Sequence, residues 1–122
     1  MEEKVFPCST EGMAGAQAFL ESFCESPKPA IVMDEIVSNI VRCSGATGFT
    51  IRLSNLESGG MEMVFIDDGS PFDPTNDAKQ PDISAAAEDR DIGGLGIFMV
   101  KKMSKSVTYR REGGKNILTV LM

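Results

Sequence analysis

The sequence predicts an α+β fold, a two-layer sandwich in which one sheet is covered by helices on a single face. Two alternating stretches meet at Gly59-Gly60 and two more flank Gly113-Gly114, which reads as a pair of hairpins. Between residues 10 and 42 the apolar residues recur instead at helical spacing. One sheet and a helical layer suffice for a chain of 122 residues, read here as one domain over 1–122 without repeat or polar linker.

Residues 3–8 read as a short edge strand. Ser9 or Thr10 stands where a helix cap belongs, and Met13, Ala16, Phe19, Leu20 and Phe23 follow at helical spacing until Pro27 and Pro29 interrupt. From Ala30 to Arg42 a second helix is expected. Val32, Ile36 and Ile40 form one apolar row and Met33, Val37 and Val41 the row beside it, while Asp34, Glu35, Ser38, Asn39 and Arg42 take the opposite side. Gly45 and Gly48 end this helix, and Phe49 to Leu53 alternates as a strand. Met61 to Ile66 is its hairpin partner.

Residues 67–92 are rich in Asp, Pro, Ser and Ala and keep no period, as befits a long functional loop. A third helix follows Gly93-Gly94-Leu95-Gly96 and runs through Ile97, Val100 and Met103 to about Ser104. The strands Ser106 to Arg111 and Asn116 to Met122 close the chain.

With 18 acidic and 12 basic residues the net charge is −6, so the surface repels nucleic-acid backbones and anionic lipid. Neither nucleic acid nor a membrane is an expected partner. The three cysteines, Cys8, Cys24 and Cys43, include no closely spaced pair, and there is no histidine to complete a zinc site. Reduced thiols and a cytoplasmic protein are expected, since no run approaches the ~20 apolar residues of a membrane span and no apolar leader opens the chain.

Three segments carry chemistry. Glu35 and Asn39 are one helical turn apart and can point into one site. A carboxylate there can orient a nucleophile, and an Asn carbonyl oxygen is a hard ligand suited to Mg²⁺. Asp67 follows an apolar strand, with Gly69 two residues on allowing close backbone approach, so its carboxylate can accept from an exocyclic amine. Gly93, Gly94, Leu95 and Gly96 open a helix whose N–H groups and dipole would attract an anion that the net charge does not. No Walker loop is present, and Met99 stands where a Rossmann fingerprint needs its third glycine. Each segment alone could be a polar helix face, an acidic turn or a flexible hinge.

In this order the segments resemble the N, G1 and G2 boxes of the GHKL, or histidine-kinase-like ATPase, superfamily. Asp67-Asp68-Gly69-Ser70-Pro71-Phe72-Asp73-Pro74, followed by Gly93-Gly94-Leu95-Gly96-Ile97-Phe98-Met99-Val100, looks especially like the anti-sigma-factor serine kinases. The resemblance implies a Bergerat-type fold, a mixed sheet backed by helices, with ATP and Mg²⁺ bound under a lid at roughly 73–93. It implies that Glu35 is the general base, Asn39 the Mg²⁺ ligand, Asp67 the adenine-binding carboxylate and Gly69 the glycine beside the base. Gly93, Gly94, Leu95 and Gly96 would meet the phosphates.

The implied activity is transfer of the γ-phosphate to a serine of an anti-sigma antagonist, with a sigma factor as a second partner and a homodimer as a further expectation. The alternative is an ATP-binding module that sequesters its partner without efficient transfer. A histidine-kinase catalytic domain is a weaker rival, because the chain contains no histidine. Lys101-Lys102 and Arg110-Arg111 read as solvated faces without assigned function.

Overall fold

The architecture is described by a computed structural model for residues 1–71 and 99–122. The edge strand β1 spans Glu2–Pro7 and turns directly into α1, Thr10–Phe23. Ser9 has an extended backbone and its Oγ accepts from the Gly12 N–H at 3.1 Å, which satisfies one of the free donors of the first turn.

Helix α2 covers Pro27–Cys43, so it begins one turn earlier than the expected start at Ala30. Proline disrupts a helix interior but suits its first turn, where no intrahelical donor is lost and its fixed φ already matches. Pro27 and Pro29 therefore start α2 rather than merely separating it from α1. Residues 99–103 are also helical, in keeping with the third predicted helix, whose glycine-rich beginning lies outside the described residues.

The strands β2 (Gly48–Asn55), β3 (Met61–Asp67), β4 (Ser106–Glu112) and β5 (Lys115–Leu121) join β1 in one sheet of order β1-β2-β3-β5-β4. Both predicted hairpins form. Gly113 and Gly114 take φ of 59° and 74°, the positive values that a two-residue type I′ turn requires of both central residues.

The α+β two-layer reading holds, with one correction to strand direction. The expected mixed sheet is antiparallel in all four of its ladders. The connection from β3 to β4 does return the chain in the same direction, as a crossover must. The hairpin partner β5, however, inserts between β3 and β4 and runs against both.

Burial follows the two-residue period of the strands. Phe49, Ile51 and Leu53 of β2, Met63 and Phe65 of β3, and Leu118 and Val120 of β5 lie on the covered face. They pack with Ala16 and Leu20 of α1, with Val32, Met33, Ile36, Val37 and Ile40 of α2, and with Val100. Complete burial of such side chains contributes about 1.5–3 kcal/mol each. On the opposite face Arg52 meets Glu3 across the edge ladder, both half-exposed.

Candidate functional site

The alternation that buries Met63 and Phe65 also turns Asp67, the last residue of β3, onto the covered face. Its relative exposure is 7%, so a carboxylate sits where the strand period would otherwise put an apolar side chain. Such a group needs donors. Its Oδ1 accepts from the Gly69 N–H at 2.9 Å and from Asn116 Nδ2 at 3.0 Å. Asn116 lies opposite Asp67 in the β3–β5 register and is itself buried.

The network extends from Asn116. Its Nδ2 also donates to the Ser70 carbonyl at 2.8 Å, and its Oδ1 accepts from the Tyr109 hydroxyl at 2.6 Å and from Arg111 Nη1 at 3.1 Å. Arg111 Nη1 further donates to the Gly69 carbonyl at 2.7 Å. Arg111 is thus a brace for the turn after Asp67, whereas Arg110 pairs with Glu112 at the exposed surface. Both arginines are exposed, as the solvated-face reading expects, and Arg111 in addition holds the turn and Asn116. Asn116, Tyr109 and Arg111 belong to no recognisable local motif. Their one sequence signal is an Asn among the inward-facing positions of a strand whose neighbours Leu118 and Val120 are apolar.

The same turn docks on the end of α2. The Ser70 N–H donates to the Ser44 carbonyl at 2.8 Å, and Gly69 lies so close that a Cβ there would stand 2.3 Å from that oxygen. Asp68 accepts from the Thr47 N–H and hydroxyl, both at 3.3 Å. These contacts pin the strand end carrying Asp67 to the helix carrying Glu35 and Asn39. Asn39 precedes Ser44 by about 7.5 Å along the helix axis at ~1.5 Å per residue.

Asn39 does not share the solvation of its helix face. It is buried to 8% exposure, and its Nδ2 has no hydrogen-bond partner among the described residues. A buried amide without a partner is rare in folded proteins and calls for a reason, of which a ligand-binding role is one. Glu35, one turn earlier, is half-buried, while Asp34 is exposed. Gly93, Gly94, Leu95 and Gly96, together with the expected lid, lie outside the described residues.

Cys8 stands near this end of the sheet, its N–H donating to the Thr47 carbonyl at 3.1 Å. Burial, and then the negative charges of Asp67 and Asp68, push its thiol pKa up. A hollow at this end of the sheet is lined by Thr47, Asp67 and Asp68 and by Val5, Thr50, Ile66 and Lys115 of the face opposite the helices. Among the described residues no group of His, Cys, Asp and Glu forms a ready metal cage. No described helix is long and apolar enough to cross a membrane.

Known proteins are similar to this chain in sequence. The Serine/threonine-protein kinase BtrW of Bordetella bronchiseptica is 28% identical over 93 residues, a match covering 71% of this chain. The chain spans 63% of the length of that relative. Residues 13–122 match the family described as the histidine kinase-like ATPase domain, from α1 through β5, and the chain belongs to that family.

Proposed function

We propose that this chain is an ATP-binding serine/threonine protein kinase of the anti-sigma-factor kind, which acts in the cytoplasm on a serine of an anti-sigma antagonist and thereby regulates a sigma factor. The observation that carries the reading is the buried carboxylate of Asp67. Protein donors hold it on Oδ1 at the end of β3, beside the turn that docks on α2. Such a carboxylate is an acceptor matched to the exocyclic amine of adenine. Membership of the histidine kinase-like ATPase family and similarity to a relative named as a serine/threonine kinase support the nucleotide and the transfer.

The donor set fits ATP with Mg²⁺. Asn39 offers a buried side chain with a carbonyl oxygen, Asp67 an acceptor, and Gly69 a backbone with no side chain in the way. Asn39 would hold the metal through its carbonyl oxygen, which leaves the fewest protein ligands consistent with a metal that keeps water and phosphate oxygens. When bound, Mg²⁺ neutralises triphosphate charge and ATP supplies the transferable phosphoryl group. Glu35 would orient the attacking serine hydroxyl and accept its proton. The backbone of Gly93 to Gly96 would meet the phosphates at a helix start. No covalent step on the protein is involved.

Calorimetric titration of the chain with ATP and Mg²⁺, repeated with Asp67→Asn, tests the reading. Loss of a charged acceptor is expected to cost about 1.5–3 kcal/mol, roughly ten- to 150-fold in affinity. Equal ATP affinity in the two proteins would remove Asp67 from the pocket. Sequestration without transfer would show as tight ATP binding and no phosphorylation of a serine-containing antagonist.

A further inference from the structure

We infer that Asn116, oriented by Tyr109 and Arg111, is a positioning residue that aims the Asp67 carboxylate and so sets a preference for 6-amino over 6-oxo purine nucleotides. This deepens the proposed ATP site and rests on it. The side-chain amide of Asn116 has an unambiguous orientation. Its Nδ2 faces two acceptors, Asp67 Oδ1 at 3.0 Å and the Ser70 carbonyl at 2.8 Å. Its Oδ1 faces two donors, the Tyr109 hydroxyl at 2.6 Å and Arg111 Nη1 at 3.1 Å. Turning the amide over would set oxygen against a carboxylate and a carbonyl, and NH₂ against a guanidinium, so these three contacts oppose it, while the Tyr109 hydroxyl can accept as well as donate.

Arg111 acts twice. Besides holding Asn116, it holds the Gly69 carbonyl at 2.7 Å, and the Gly69 N–H is the second donor to Asp67 Oδ1. Both donors to Oδ1 are therefore braced by the same guanidinium, and rotation of the carboxylate about its own bond would break both. Oδ2 is left with a fixed direction. A carboxylate oxygen fixed as an acceptor rewards a 6-amino group and opposes a 6-oxo group, which presents a second acceptor. The discrimination comes from the network, because an unbraced carboxylate could swing to meet the N1–H of a 6-oxo purine.

The test is titration of the full chain, Asn116→Ala and Tyr109→Phe with ATP and with inosine triphosphate, each with Mg²⁺, alongside thermal unfolding. Asn116→Ala is expected to lower ATP affinity roughly ten- to 100-fold and Tyr109→Phe about two- to tenfold, as loss of a charged and of a second-tier hydrogen bond would do. The ratio of ATP to inosine triphosphate affinity should fall by similar factors. If Asn116→Ala does not fold, the nearly isosteric Tyr109→Phe decides. An unchanged ratio in the folded variants, with a wild type that prefers ATP, would leave Asn116 a purely structural residue and overturn the inference. So would a wild type that binds both nucleotides equally. A wild type that binds neither would instead bring down the ATP reading itself.

Discussion

Gly69 and Ser44 are in backbone contact. A Cβ built on Gly69 would lie 2.3 Å from the Ser44 carbonyl oxygen and 2.6 Å from the Ser44 Cβ, and that same oxygen accepts the Ser70 N–H at 2.8 Å. The turn after Asp67 therefore rests on the end of α2 at a distance only glycine permits. This contact ties the acceptor on the sheet to the carboxylate and amide on the helix.

Replacing Gly69 by Ala forces that contact apart, because the obstruction is backbone rather than the end of a flexible side chain. We expect a loss of about 1–3 kcal/mol, the usual cost of overpacking. Urea unfolding should show a lower midpoint with an unchanged slope. ATP affinity should fall as well, since the Gly69 N–H is a donor to Asp67.

Asn39 presents the reverse trade. Its Nδ2 is buried without a partner among the described residues, so Asn39→Leu removes an unsatisfied polar group and should raise stability by about 1 kcal/mol. The same variant should lose the Mg²⁺ dependence of nucleotide affinity. Thermal unfolding and titration with and without Mg²⁺ check both parts, and a destabilised variant that still responds to Mg²⁺ would contradict the assignment.

On the proposed function, Glu35 would separate binding from transfer. It is half-buried on the same side of α2 as Asn39, and its assigned task arises only when a hydroxyl attacks. Glu35→Ala should leave ATP affinity within about twofold while transfer to a serine substrate falls roughly 10²- to 10⁴-fold. A parallel loss of affinity would make Glu35 a binding residue instead.

Cys8 reports the charge around Asp67. Its pKa lies above the ordinary value of 9.0, through burial first and then Asp67 and Asp68. The folded state thus holds the thiol proton more tightly than the unfolded chain does. The resulting stability is fully present below pH 9.0 and is lost as pH rises through the folded value. Iodoacetamide should alkylate Cys8 slowly at neutral pH, and Asp68→Asn should move the rise in rate to lower pH. Peptide mapping by mass spectrometry over a pH series reads both, and identical profiles would discount the Asp68 charge.

Much of this protein is legible in its amino-acid sequence. Alternation and paired glycines mark β2 with β3 and β4 with β5, because strand period and turn chemistry are local properties. The cap at Ser9 and the apolar rows of α2 are equally local. Glu35, Asn39, Asp67 and Gly69 stand out because each lies in a short segment whose residue types already suit a chemistry.

Tertiary structure alone decided the rest. Pro27 starts α2 because the first turn of a helix needs no donor from it, whereas proline read by itself signals an interruption. The place of β5 between β3 and β4, and hence the antiparallel sheet, depends on which edges meet across the 68–105 connection. That placement sets Asn116 beside Asp67, 49 residues earlier in the chain, and brings Arg111 to a carbonyl 42 residues away. Residue periodicity determined which faces would be buried, but contacts at that separation arise only when the strands align, so the braced carboxylate is a product of the assembled sheet.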